Sequence, residues 1–392
     1  MAFPQPGRPV RVAAVFGTRP EAVKMAPVVK VLSGDPAFEV RVIVTGQHRE
    51  LLDEVLRFFR IAPDADLDLM RHDQSPAQVV EGVLRELTPL LERDRPDLVI
   101  VLGDTVSALA GALAAFFQKI PVAHVEAGLR THDRYDPFPE EMSRRLAGVL
   151  ANLHFAPTLE AKRNLLQENV DPGTIYVTGN TVIDALLDAA QKEFAPRDPQ
   201  VLEALASGRR LLLVTAHRRE NWGEPHRRVF EALRAIAERH ADVEVVFPVH
   251  PNPAVRVLAR ELLAGRERIR LIEPPAYPEF VQLLKACSLV LTDSGGLQEE
   301  APALGKPVLV LRETTERTEG VAAGTCLKVG TDPERIARET HRLLTDPEAY
   351  RRMARAVNPY GDGRAAERIR LALLHAFGAS PRPEDFQWEP RP

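Results

Sequence analysis

Short, unbroken apolar runs recur along the whole chain, each followed by a stretch with helical spacing, and few folds accommodate that pattern. In the first half the runs are Val10–Phe16, Val40–Val44, Leu98–Leu102, Val122–Val125, Leu153–Phe155 and Ile175–Val177. In the second half they are Leu211–Val214, Val243–Val249, Ile269–Ile272, Leu289–Leu291, Pro307–Leu311 and Cys326–Val329. Runs of this length without polar alternation suit parallel strands buried on both faces. Between them lie amphipathic stripes, such as Val79, Val80, Val83, Leu84, Leu87, Leu90 and Leu91, or Val229, Leu233 and Ile236. Strand–helix alternation builds an open parallel sheet through right-handed crossovers. There are about twice as many runs as one such sheet carries, and 392 residues exceed one ordinary core, so the sequence predicts two doubly wound α/β domains. The expected division is a Rossmann-like domain of residues 10–180 plus 364–378 and a second of 181–363. Proline-rich residues 1–9 and 379–392 read as flexible tails.

The net charge of −4 gives no bulk attraction to nucleic acid or to a membrane surface. No apolar run reaches the roughly eighteen residues of a spanning helix, and the start lacks a signal peptide's apolar core. Cys287 and Cys326 form no CxxC pair, which argues against a disulfide scaffold or zinc site and fits a reducing cytoplasm.

Polar motifs concentrate where the strands end, and in open α/β sheets ligands bind beyond the carboxyl ends of the strands. Gly17-Thr18-Arg19-Pro20-Glu21 follows the first run, Gly46-Gln47-His48-Arg49-Glu50 the second, Gly103-Asp104-Thr105 the third and Glu126-Ala127-Gly128-Leu129-Arg130 the fourth. In the second half come Ala216-His217-Arg218-Arg219-Glu220-Asn221, His250-Pro251-Asn252, Asp293-Ser294-Gly295-Gly296 and Arg312-Glu313-Thr314-Thr315-Glu316-Arg317.

Gly17-Thr18-Arg19-Pro20 and Asp293-Ser294-Gly295-Gly296 read as glycine turns into helices, whose free amides and dipole favour an anion. Arg19 and Lys24 add charge near the first. Ordinary glycine turns explain the same spacing. Neither matches GxGxxG, which disfavours a dinucleotide. Asp104, Glu126 and Glu140 are acid–base candidates; Asp104 and Glu126 each follow an apolar run, and a carboxylate ending a buried strand is partly desolvated. A helix N-cap before 105–115 explains Asp104 equally well, and favourable first-turn charge explains Glu140 and Glu141. His217 suits a phosphate or a proton, and His48 sits in a similar turn; a lone histidine is more often structural. Glu300 either faces solvent or accepts from a ribose. Asp64-Ala65-Asp66-Leu67-Asp68 resembles a metal-binding DxD but reads as a solvated turn after a proline. No paired metal ligands appear, so the expectation is chemistry without metal or cofactor.

These motifs, in this order, resemble the non-hydrolysing UDP-N-acetylglucosamine 2-epimerases from about Val10 to Phe377. The signatures are Phe16–Ala22, His124–Arg130, Thr292–Gly296 through Gln298–Pro302, and Asn358–Gly363. The resemblance implies a GT-B fold, in which two Rossmann-like domains enclose a cleft that opens and closes, and a homodimer. It implies acid–base roles for Asp104, Glu126 and Glu140. It also implies diphosphate contacts from Arg19, Lys24 and His217, with Ser294, Gly295, Gly296 and Glu300 on diphosphate and ribose and Phe280 at the uracil. The implied reaction interconverts UDP-GlcNAc and UDP-ManNAc by eliminating UDP to 2-acetamidoglucal and adding it back. Gln47, His48, Gln74 and Arg218 match parts of a second, activating UDP-GlcNAc site, with Asp73 where some relatives have arginine and Glu50 where some have glutamine. The usual Thr-Thr-Glu-Arg-Pro-Glu run reads Thr314–Glu319 with Thr318 for proline. A hydrolysing epimerase, a GT-B glycosyltransferase using a UDP-sugar, and a sugar-nucleotide-binding regulator are the rival readings.

Overall fold

The computed structural model describes residues 8–388 except 47, 48, 70, 72 and 73. It divides into two compact units. One runs to Ala185 and resumes over Gly361–Gln387; the other takes Leu186–Tyr360 and Trp388.

The first unit holds a parallel sheet of β1 (Val10–Phe16), β2 (Phe38–Val44), β3 (Ala65–Asp66), β4 (Leu98–Leu102), β5 (Val122–Val125), β6 (Leu153–Ala156) and β7 (Ile175–Val177). Their spatial order is β3-β2-β1-β4-β5-β6-β7. β4 is buried along its whole length, as a run without polar alternation requires. Ala13, Val15, Val99 and Val101 pack against Val83, Leu87 and Leu91 on one side of the core. Burying each such branched side chain contributes about 1.5–3 kcal/mol. The helix Val106–Phe117 comes close because it is rich in alanine; a Cβ on Gly111 would already meet Val101 and Val15 at 3.3 Å.

The acidic residues of Asp64–Asp68 are exposed, as expected of a solvated segment, but the backbone there forms a short strand instead of a turn. Ala65 and Asp66 pair with Ile43 and Val44 as a short edge strand. The Asp64 carboxylate accepts from the Val42 N–H at 2.7 Å and Asp66 from the Asp68 N–H at 3.0 Å, so these carboxylates fasten the sheet edge. Residues 380–388 correct a second expectation. The stretch is no loose tail: the Phe386 N–H donates to the Val177 carbonyl at 2.7 Å, and the Val177 N–H donates to Asp385 at 2.9 Å. Lys162 pairs with Asp385 at 2.6 Å, and the Arg382 guanidinium lies 4.2 Å from the centre of the Tyr176 ring. Prolines keep the segment extended, and Asp385 with the buried Phe386 anchors it along the outer edge of β7. Residues 1–7, within the other expected tail, lie outside the described residues. The helix Ala365–Ala376 is held at its start by Asp184, which accepts from the Ala365 and Ala366 N–H groups at 3.1 and 2.8 Å.

The second unit's sheet is also parallel, with β8 (Arg210–Thr215), β9 (Val243–Pro248), β10 (Ile269–Ile272), β11 (Leu289–Thr292), β12 (Val308–Val310) and β13 (Cys326–Lys328) in the order β10-β9-β8-β11-β12-β13. Leu212, Val214, Val245, Phe247 and Leu291 meet Val229, Leu233 and Ile236 in its core. Each sheet reverses its direction of growth at the centre, between β1 and β4 and between β8 and β11. The carboxyl ends of strands at such a switch point are where this architecture binds ligands.

Candidate active site

At the first switch point, Thr18 caps the helix Arg19–Ser33, with Glu21 completing a capping box. The Glu21 carboxylate accepts from the Gly17 and Thr18 N–H groups at 2.9 and 2.8 Å and from the Thr105 hydroxyl at 2.5 Å. This corrects the expectation of free amides here: the Gly17 and Thr18 N–H groups are already taken by an internal carboxyl group. Gly17 is required by close approach, since a Cβ would lie 1.8 Å from the Thr45 Oγ1. Arg19, half-buried, opens the helix. Lys24, one turn on, sits on both oxygens of Glu126, at 2.7 Å from Oε1 and 2.6 Å from Oε2. Glu126 directly follows β5 with φ of 61°, and the Asn180 amide also reaches its Oε1 at 3.3 Å.

Thr105, not Asp104, caps the helix Val106–Phe117, accepting from the Ala108 N–H at 2.9 Å. The Asp104 carboxyl is left to face Arg144, 3.3 Å from its Oδ2. Burial pushes the Asp104 carboxyl above the usual range; Arg144 and Lys24 oppose that, and Glu126 and Glu140 add to it. Those influences bring Asp104, Glu126, Glu140, Lys24 and Arg144 into one electrostatic cluster. Glu140 begins the helix Glu140–Leu150, and its Oε2 is buried without a hydrogen-bond partner. Its neighbour Glu141 is structural: fully buried, it accepts from the Thr131 and His132 N–H groups and from the Arg144 Nε. Beneath the cluster, the buried His124 Nε2 lies 2.7 Å from the carbonyl of Gly103. Burial pushes its imidazole down to about 4, so the ring is neutral and donates.

At the second switch point the fully buried Asp293 is the hub. It accepts from the His217 N–H at 2.9 Å, the Arg218 N–H at 2.9 Å and the Asn221 amide at 3.3 Å. The His217 Nδ1 lies 3.3 Å from its Oδ1. With Nδ1 directed at the carboxylate, His217 keeps Nε2 for a ligand. The His217 ring stacks on His250 at 5.6 Å between centres, and burial lowers its affinity for a proton. Gly295 and Gly296 are not turn residues, as expected from the sequence, but the first two residues of the helix Gly295–Ala303. They too answer to crowding. A Cβ on Gly295 would meet Glu316 Oε1 at 3.1 Å, and one on Gly296 would meet Glu300 Oε1 at 3.1 Å. Ser294 stands at the N-cap with no side-chain cap bond, so this helix start, unlike the first, is open to an anion. Arg218, Arg312 and Arg317 surround Glu316, holding its carboxyl down at about 2. Phe280 and Glu300 are half-buried, and Glu300 is among the charges acting on Tyr277, which opens the helix Tyr277–Ala286 that carries Phe280. Among the described residues no group of three or more His, Cys, Asp or Glu side chains could hold a metal ion.

The family model for UDP-N-acetylglucosamine 2-epimerase matches residues 30–374. The chain belongs to the UDP-N-acetylglucosamine 2-epimerase family. The UDP-N-acetylglucosamine 2-epimerase of Yersinia pestis is 52% identical over 369 residues, covering 93% of this chain and 98% of the relative. The Neisseria meningitidis UDP-GlcNAc 2-epimerase, solved bound to UDP-GlcNAc, is 45% identical with a TM-score of 0.85, covering 93% of this chain and 100% of that one. The S. aureus MnaA–UDP co-structure is 43% identical with a TM-score of 0.86, covering 96% and 100%. The two parallel sheets are those of a GT-B-type α/β fold.

Within this 2-epimerase, the sequence-derived site residues fall in two groups. Asp104, Glu126, Glu140, Lys24 and Arg19 belong to the first unit, and His217, Arg218, Phe280, Ser294, Gly295, Gly296 and Glu300 to the second. Gln74 accepts from the Arg71 N–H at 2.9 Å. Gln47, His48, Asp73 and the side chain of Glu50 lie outside the described residues. Sequence reading passed over Glu21, Arg144, His124 and Asp293 as site residues. Glu21 carried a signal, the Thr-x-x-Glu spacing of a capping box. Asp293 carried a weaker one, as an acidic residue ending an apolar run like Asp104.

Proposed function

We propose that the chain interconverts UDP-GlcNAc and UDP-ManNAc without releasing free ManNAc. The observation that carries this is the carboxylate cluster of Asp104, Glu126 and Glu140, with Lys24 and Arg144, at the carboxyl edge of the first sheet. The C2 proton of the sugar is not acidic while the C1–O bond is intact. Breaking that bond leaves its electron pair on UDP and builds positive charge on the ring, and the C2 proton then passes to a carboxylate, leaving a C1=C2 double bond. Returning the proton to the opposite face of C2 while UDP re-adds at C1 completes the inversion. Asp104, its carboxyl raised above the usual range by burial, is suited to carrying that proton. The open start of the helix Gly295–Ala303, with His217 and Arg218, is suited to the diphosphate that departs. Electrons balance without an external acceptor.

NMR of UDP-GlcNAc with the enzyme alone tests this. We expect UDP-ManNAc to accumulate to an equilibrium mixture and, in D2O, deuterium to enter at C2, with EDTA making no difference. Accumulation of ManNAc and UDP would instead establish a hydrolysing enzyme. We also propose a homodimer. Supporting it, Phe116, Phe117, Leu146 and Val149 are exposed on the neighbouring helices Val106–Phe117 and Glu140–Leu150, with Val149 80% exposed. Among the described residues no helix is long and apolar enough to cross a membrane. Cys287 and Cys326 are free, buried thiols, which supports the cytoplasm as the site of action.

A further inference from the structure

His226 lies on the helix Glu224–Arg239, beneath the second switch point, and is wholly buried. Its ring stacks on Phe230 at 5.6 Å and 9°. Neither ring nitrogen has a hydrogen-bond partner, yet its Nε2 lies 3.6 Å from Asp293 Oδ2. A phenylalanine would stack on Phe230 equally well and would avoid the cost of burying an unpaired nitrogen. Packing therefore does not account for an imidazole here, whereas the carboxylate beside it does. Asp293 shares its oxygens: Oδ1 faces the His217 Nδ1 and lies 3.1 Å from the His217 N–H, while Oδ2 takes that same N–H at 2.9 Å, the Arg218 N–H and the Asn221 amide, and turns toward His226.

We propose that His226 is a positioning residue: it holds Asp293 from below so that Oδ1 keeps the His217 imidazole oriented with Nε2 toward the diphosphate of the substrate. The charged and titratable groups acting on His217 are Asp293, Arg218, His250 and His226, and His226 is wholly buried, so it influences a ligand only through its neighbours and not by contact. The role rests on the 2-epimerase reading for its ligand, but the arrangement of the two imidazoles about Asp293 stands without one.

The test uses full-length His226→Phe and His226→Gln. His226→Phe keeps the stack and removes the nitrogens; His226→Gln restores a donor. The first readout is the NMR titration of the His217 imidazole in ligand-free protein, which needs no turnover. With that support gone, Asp293 Oδ1 holds the His217 imidazole less firmly, and we expect the His217 midpoint to fall by about half a pH unit in His226→Phe. It should return toward wild type in His226→Gln. The second readout is UDP-GlcNAc turnover, expected to fall about tenfold in kcat/KM for His226→Phe, the lower end of losses for an outer partner of a site. An unmoved His217 titration in both variants overturns the proposal, as does a shift in which Gln and Phe behave alike. Absence of any turnover by wild type, with the titration shifted as expected, would sink the function reading and leave this one standing.

Discussion

Asp104 and Thr105 stand side by side, and the difference between them decides what each can do. Thr105 satisfies the helix start, so Asp104 is free for Arg144 and for a proton. We expect Asp104→Asn, Glu126→Gln and Glu140→Gln each to lower turnover at least about a hundredfold, as loss of a positioned acid–base group does, while folding survives because shape is kept. Near-normal rates in any of these, with far-UV circular dichroism unchanged, remove that residue from the chemistry. His124 gives a stability test at the same scale. The unfolded chain takes up a proton near pH 6.5, but the buried ring does so only near 4. Stability fully present above pH 6.5 is therefore lost as pH falls through that window, at about 1.4 kcal/mol per pH unit from this group. Urea titrations from pH 7 to 4.5 should show a shallower loss in His124→Gln than in wild type. Asp104 and Glu126 were legible because each follows an apolar run, whereas Glu140 follows none. Their partners were not: Lys24 and Glu126 are joined through space across much of the unit, and no local pattern carries that pairing.

Among elements, the long apolar strands were read close to their observed ends, because burial on both faces leaves an unbroken run. β3 escaped notice since two residues make no run; its pairing with β2 is set by register and by Asp64. The docked segment 380–388 escaped for the opposite reason, its proline content masking Asp385 and Phe386 as anchors. Deleting residues 381–392 should strip Val177 of both hydrogen bonds and bare the edge of β7. A lower thermal midpoint, with association visible in light scattering, is the expected result; an unchanged midpoint would show the segment to be passive. The Gly17 turn offers a sharper test. Gly17→Ala drives a methyl into Thr45 and should cost about 1–3 kcal/mol, the usual scale of overpacking. Thr45→Ala in the same chain should recover part of that loss, and a double-mutant cycle measures it.

On the scale of the whole molecule, the proposed function assigns each unit different chemistry. The open helix start at Ser294 with Glu300 belongs to the second, and the carboxylates with Arg19 to the first. Glu300→Ala should weaken UDP binding measured by calorimetry, whereas Arg19→Ala should depress turnover more than UDP affinity. Equal losses of affinity would refute that division. Val149→Glu should convert the proposed dimer to monomer in sedimentation; an unchanged species would place the contact elsewhere.

The order in which the first unit's parts occur along the chain has a bearing on synthesis. Its sheet is complete by β7, but the helix Ala365–Ala376, anchored on Asp184 and packed against the helix Arg19–Ser33, and the segment that covers β7 come only after the entire second unit. A ribosome making this chain from its N-terminus therefore finishes the later unit first. The earlier one waits, its last helix missing and one sheet edge bare, through translation of some 175 residues, about 10–30 seconds at ordinary elongation rates. That interval is when the nascent chain is most in need of a chaperone, and a stalled ribosome near residue 360 would leave the half bearing the carboxylates unfinished.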